Sequence, residues 1–204
     1  MDWDLPSIKK MVEKRVVNAA KCRSEDVWNN IFPKNGFEIL AKFSTKKPRE
    51  FIRMAGLCME RAYINGHKRV LESDISEGIR RYSTERIQDI ASESTYTYPG
   101  LNIVLERFRG KAKEFDITLL DDIATEFAIE AFEHQDAPWF WAGQFDKRAK
   151  DFAELLADIG FLQIKVNRTA SPTPYDRAKM GRINSNMWFA VHPMYVPGLD
   201  LLGA

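Results

Sequence analysis

The sequence predicts a mainly α protein with a small β-hairpin, divided into two domains. Three observations carry this expectation. Apolar residues recur at helical spacing as far as Ile90, a stretch rich in hydroxyls, proline and glycine breaks that pattern at 92–100, and two-residue alternation enters only late, at 161–166 and 187–191. The break places the domain boundary between a helical domain over 1–96 and a second domain over 97–204.

Leu5, Ile8, Val12 and Val16 fall at three- and four-residue steps, with Pro6 where a first helical turn tolerates it, so an amphipathic helix opens the chain. Ser24 is the expected cap of a short helix carrying Val27, Trp28, Ile31 and Phe32, which Pro33 ends. A further short helix is expected around Phe37–Phe43. The stretch from Pro48 to Ile64 puts Phe51, Ala55, Cys58 and Ala62 on one face, and Asn65-Gly66 stops it. Ser73 is the expected cap of a helix lined by Ile75, Ile79 and Tyr82 and continuing through Ile87 and Ile90.

Beyond the break, a helix is expected from Leu101 to Arg109, stopped by Gly110. Thr118 and Asp121 match a capping box that opens a helix bearing Ile123, Phe127 and Phe132, and a third helix runs from about Asp146 to Asp158 before Gly160. Alternation then places Leu162, Ile164 and Val166 on one face of a strand, and Met187–Val191 supplies its partner after a long polar loop. Three helices followed by such a hairpin is the winged-helix order. The connection over 167–186 is long for a structureless loop, which suggests mobility or ordering on binding.

Composition limits the function. Apolar residues make up 45% of the chain, enough for a core, and 30 basic against 29 acidic residues leave a formal charge of +1. That balance argues against a polybasic nucleic-acid coat and leaves room for a local basic patch. Cys22 and Cys58 lie far apart and outside metal-binding spacing, while His67, His134 and His192 are scattered, so neither a disulfide framework nor a metal site is indicated. No basic-then-apolar leader opens the chain, and no window approaches the roughly 18 apolar residues of a membrane span. A reducing cytoplasmic setting, with no membrane partner, is the expectation.

Trp28-Asn-Asn-Ile31-Phe32-Pro33, Lys47-Pro48-Arg49-Glu50-Phe51-Ile52-Arg53, Asp74-Ile75 and Tyr82-Ser83 occur in order, followed by Tyr98-Pro99-Gly100-Leu101, Asp158-Ile159-Gly160-Phe161-Leu162 and His192-Pro193. In that order they resemble the region following the ATPase core in a little-characterised group of bacterial P-loop ATPases. More distantly, the helical half looks like the lid of initiator-type AAA+ ATPases, in which core, lid and winged helix follow one another. The resemblance implies that Arg49 matches the lid arginine facing nucleotide phosphates, with Arg53 one turn later as its aid. Read from the residues alone, Arg49 is rather a solvated surface arginine or a partner of Glu50.

The sequence departs from that family in one respect: it has no Gly-x-x-x-x-Gly-Lys-Ser/Thr and no strand ending in paired acids. Hydrolysis of ATP therefore has no machinery in this chain, and ATP with magnesium would enter only with a core supplied elsewhere. The chain is expected to be a C-terminal fragment of such an ATPase or a stand-alone derivative of its tail.

Lys147, Arg148 and Lys150 open the expected third helix, and Lys165, Arg168, Arg177, Lys179 and Arg182 flank or occupy the wing. In a winged helix these positions suit a helix entering a groove of DNA and a wing following phosphates, although solvated loop charges account for them as well. Pro138-Trp139-Phe140-Trp141 is expected to seal the space between the second and third helices of that domain. Asp121, Asp122 and Glu126 share a helix with no partner base, and no catalytic residue is assigned. The sequence thus favours a non-catalytic regulatory module, a lid sensing nucleotide and a winged helix on DNA. The alternative is a protein-interaction or oligomerisation scaffold joined through Trp139 and Trp141.

Overall fold

The computed structural model describes residues 4–23, 25 and 27–203. The protein is mainly helical with a small antiparallel sheet, and it divides into two compact units, 1–85 and 86–204. The division lies inside a helix, eleven residues before the boundary expected at 96/97. No helix among the described residues is long and apolar enough to cross a membrane.

The first unit begins with α1, Leu5–Ala20, whose N-cap Asp4 accepts from Ser7 N at 2.7 Å. Ile8, Val12 and Val16 are its buried residues, as their spacing requires. A π-helical turn, Val27–Ile31, stands where a short α-helix was expected; the cap assigned to Ser24 lies outside the described residues. Trp28 gathers the aromatic core: its ring centroid is 5.1 Å from Phe32 and 5.6 Å from Phe37, and its Nε1 donates to Glu13 Oε1 at 2.8 Å. Helix α2, Gly36–Lys42, brings Phe37 onto Phe51 of α3, Pro48–Ile64, with 5.2 Å between stacked rings.

The long helix α4, Glu72–Glu93, buries Ile75, Ile79 and Tyr82 in the first unit. It runs close against α3 at Gly78. A Cβ there would stand 2.8 Å from Cys58 Sγ and 2.9 Å from Cys58 N. Burial foremost, then the charge of Asp74, pushes the Cys58 thiol up to about 12.

Ser73 does not cap α4, because the helix starts at Glu72 and takes it in; Asp74, also in the first turn, reaches back to the Leu71 N–H. Its carboxylate is fully buried, accepting from Leu71 N at 2.9 Å and Asn65 Nδ2 at 2.8 Å, with His67 Nδ1 2.8 Å from Oδ2. Burial alone would push this carboxyl up; the Leu71 N–H, the His67 ring and the Asn65 amide outweigh it and hold the group below its ordinary value. Such a group stabilises the fold above the ordinary aspartate value, about 3.9, and stops doing so as pH falls through its lowered one. Asp74→Asn is therefore expected to be less stable than the parent at neutral pH, with a gap that narrows below about pH 4. Thermal unfolding over that range checks the sign; a gap that widened on acidification would refute it.

The second unit holds α5, Leu101–Glu106, then β1, Glu114–Phe115, and α6, Ile117–Glu133. The capping box assigned to Thr118 is displaced by two residues. Asp116 is the N-cap and accepts from Thr118 N at 2.9 Å, which leaves Thr118 inside the first turn. A 3-10 turn, Phe140–Phe145, packs on α6 and leads to α7, Ala149–Asp158. Gly160, with φ 79°, ends α7 in the left-handed region where a side chain would be strained, and Phe161 N returns to Leu156 O at 2.9 Å.

Strands β2, Leu162–Lys165, β3, Thr173–Pro174, and β4, Trp188–Val191, complete an antiparallel sheet of order β1-β4-β2-β3. A one-turn helix α8, Arg177–Met180, lies in the β2–β4 connection. Directly paired residues share a face. Phe115, Leu162, Ile164, Phe189 and Val191 thus form the inner, buried side, and Glu114, Gln163, Lys165, Trp188 and Ala190 the outer one. Two apolar assignments fail: Phe132 is 83% exposed on α6, and Val166 lies past the end of β2 and is 61% exposed.

Candidate phosphate and nucleic-acid surfaces

Arg49 occupies the first turn of α3, exposed and without an ion-pair partner among the described residues. The adjoining Glu50 faces the other way. It is buried, and its two carboxylate oxygens accept from Thr45 N and Thr45 Oγ1, both at 2.7 Å. The pairing of Arg49 with Glu50 is therefore excluded, and Glu50 instead fixes the loop that leads into Arg49. Arg53 is committed elsewhere: its Nε and one terminal nitrogen meet both oxygens of Glu85 on α4, at 2.8 and 2.6 Å. Such bidentate pairing orients a guanidinium strongly.

In the second unit the cations meet unequal fates. Lys147 and Arg148 precede α7 instead of opening it, since the helix starts at Ala149 and Arg148 is its N-cap residue. Lys147 is exposed with φ 58°, whereas Arg148 is tied to Asp151 at 2.7 Å. Lys150 is the one exposed cation of α7. Asp151 and Asp158 are exposed beside it and Glu154 is half-buried, so the outer face of that helix is net acidic.

Lys165 is corrected outright. It is 4% exposed and bonded to Glu114, which reaches it over β4 at Ala190, where a small side chain leaves room. A phosphate cannot reach it. Arg168 follows β2 in a turn held by Asn167 Oδ1, which accepts from Thr169 N at 3.0 Å and Ala170 N at 2.9 Å. Its guanidinium lies 5.1 Å from the centroid of Trp188.

The β2–β4 connection is ordered by Glu154 of α7. Ile183 N donates to its Oε1 at 3.2 Å, Tyr175 Oη lies 3.3 Å from the same oxygen, and Arg177 stands 3.9 Å from the other. Burial, then Glu154, pushes the Tyr175 hydroxyl up. Lys179 pairs with Asp176 at 2.8 Å, an exposed contact that holds the Asp176 carboxyl below its usual range and raises Lys179. Arg182 is exposed and has no ion-pair partner among the described residues.

The aromatic segment follows the expectation only at Trp139, while Phe140 is 39% exposed and Trp141 turns to the segment before α5 rather than filling the space between α6 and α7. Trp139 is buried against Phe127 of α6 at 5.2 Å, and Trp141 donates from Nε1 to Pro99 O at 2.8 Å while lying 5.0 Å from Tyr98. Trp139 is thereby removed as an association surface. Sequence reasoning missed Glu114, Glu154 and Trp188; only Trp188 left a trace, at an outward position of the second alternating run. Among the described residues, no group of three His, Cys, Asp or Glu is arranged to hold a metal.

Comparison with known proteins finds a likeness for one part of the chain. No curated protein and no solved structure matches it. Over residues 6–91, from the second residue of α1 to the last turn of α4, the chain is similar to the family described as the FunZ-associated C-terminal helical domain.

Proposed function

We propose that the chain is a non-catalytic control module in which unit 86–204 is a winged helix gripping nucleic-acid backbone, and the helical unit serves as the lid-type partner of a P-loop ATPase core. The observation that carries the reading is the second unit's order of helix, strand, two helices and antiparallel hairpin, with Arg168 and Arg182 presented on the long β2–β4 connection. The acidic outer face of α7 disfavours base reading by that helix, so contact falls to the wing and to phosphates. Arg49 supports the lid role as an unengaged guanidinium at a helix start, suited to phosphate oxygens. Likeness to a domain described as FunZ-associated supports a helical unit that works beside another domain.

Electrostatic backbone contact predicts a definite salt response. Binding of a labelled duplex, followed by anisotropy between about 50 and 200 mM salt, is expected to weaken with a log–log slope of about −2 to −3. Replacing Arg168, Arg177, Lys179 and Arg182 together by Ala flattens that slope towards zero. The net acidic face of α7, with Asp151, Glu154 and Asp158, favours one other reading, a protein-docking scaffold in which the partner is basic. Absence of binding to both duplex and single strands even at about 50 mM salt would decide for it.

A further inference from the structure

A cleft of about 510 Å³ lies by the edge strand β1 and the start of β4, lined by Glu114, Phe115, Asp116, Arg168, Thr169 and Trp188. Its composition is unusual for a solvated sheet face. Trp188 is half-buried at the β4 position directly opposite Lys165, so its indole stands beside the buried Lys165–Glu114 pair. Arg168 lies across that indole, delivered there by the Asn167 turn. Asp116 also lines the cleft, with one carboxylate oxygen accepting from Thr118 N as the cap of α6. The cleft therefore combines an aromatic platform, a guanidinium able to leave it, and carboxylates that accept but do not donate.

We propose that this cleft is a stacking subsite for one unpaired nucleobase at a single-stranded segment or duplex end, with Trp188 as the platform and Arg168 as the phosphate contact. The inference rests on the nucleic-acid reading above and narrows its substrate to strands with an exposed base. A stacked base contributes more than the solvent-exposed cation–π contact it displaces, and the released guanidinium gains a bidentate phosphate partner. Glu114 and Asp116 can accept from the exocyclic amino group of cytosine, adenine or guanine and from the ring N–H of thymine or guanine, so every unpaired base offers them a donor. Because the two carboxylates, Lys165 and Arg168 nearly cancel in charge, the cleft accepts a nucleotide without the repulsion that α7 would impose.

The test compares three labelled probes on the full chain: a single strand of cytosines, a strand of equal length made of abasic residues, and a blunt duplex. The cytosine strand is expected to bind about tenfold more tightly than the abasic one. Trp188→Leu should remove that difference, while Trp188→Phe, which keeps a ring, restores most of it; far-UV circular dichroism confirms that both variants fold. Equal binding of cytosine and abasic strands, or a Trp188→Leu variant that still tells them apart, overturns the subsite. If duplex binding meanwhile persists and weakens in Arg182→Ala, the wing reading stands without it. Failure of every probe to bind overturns both.

Discussion

Gly78→Ala is expected to destabilise the helical unit by about 2–3 kcal/mol, although alanine is the better helix former by about 1 kcal/mol. The added methyl would meet Cys58 Sγ, N and Cα at 2.8, 2.9 and 3.0 Å. Two of those atoms are backbone, so no rotamer change relieves the contact, and α3 and α4 must move apart along a seam that buries Cys58, Ile75 and Ile79. For a unit of this size the unfolding midpoint should fall by about 10 °C or more. Cys58→Ala, which removes only the sulfur, is expected to recover a minor part. Circular dichroism melts give the answer, and a variant as stable as the parent would mean that propensity, not packing, governs this crossing.

The second large effect is expected at the outer face of the sheet. Glu114→Ala leaves the Lys165 ammonium, with only 5% of its side chain exposed, without its partner, and should cost about 3–4 kcal/mol. The reverse change is milder. Lys165→Met fills the same space with apolar atoms, and Glu114, 28% exposed, can turn to water, so a loss below about 1 kcal/mol is expected. The double variant Glu114→Gln with Lys165→Met should lie near the parent. Denaturant titration of the three proteins tests the asymmetry; equal losses in both single variants would show that the pair is valued for attraction and not for the burial of one charge.

Helical spacing made much of the first unit legible. Ile8, Val12 and Val16 on α1, Phe51, Ala55, Cys58 and Ala62 on α3, and Ile75, Ile79 and Tyr82 on α4 all face the core their periodicity implies. What escaped was short or non-local. Strand β1 has two residues and β3 ends in Pro174, so neither can show alternation. The starts of α4 and α6 escaped as well, since Asp74 acts from inside the first turn of α4 by accepting from Leu71 N, and the N-cap Asp116 lies two residues before Thr118.

The cations on and beside the β2–β4 connection show the limit most clearly. Lys165 looks in sequence like any other loop-flanking cation, yet its partner lies 51 residues away and meets it only once β1 and β2 flank β4. Arg168 and Arg182 remained exposed, whereas Arg177 and Lys179 found acids on α7 and at the cap of α8. Charge counts along a chain cannot separate these cases, since pairing is decided by register.

Arg49 and Glu50 divide one task between neighbours pointing opposite ways. The acid is anchored inside by Thr45, and the base owes its aim to that anchorage. Truncating the inward residue would therefore blunt any contact made by the outward one without touching a ligand. Scanning mutagenesis of this corner would credit recognition to a residue that only steers it, unless melting curves accompany every affinity.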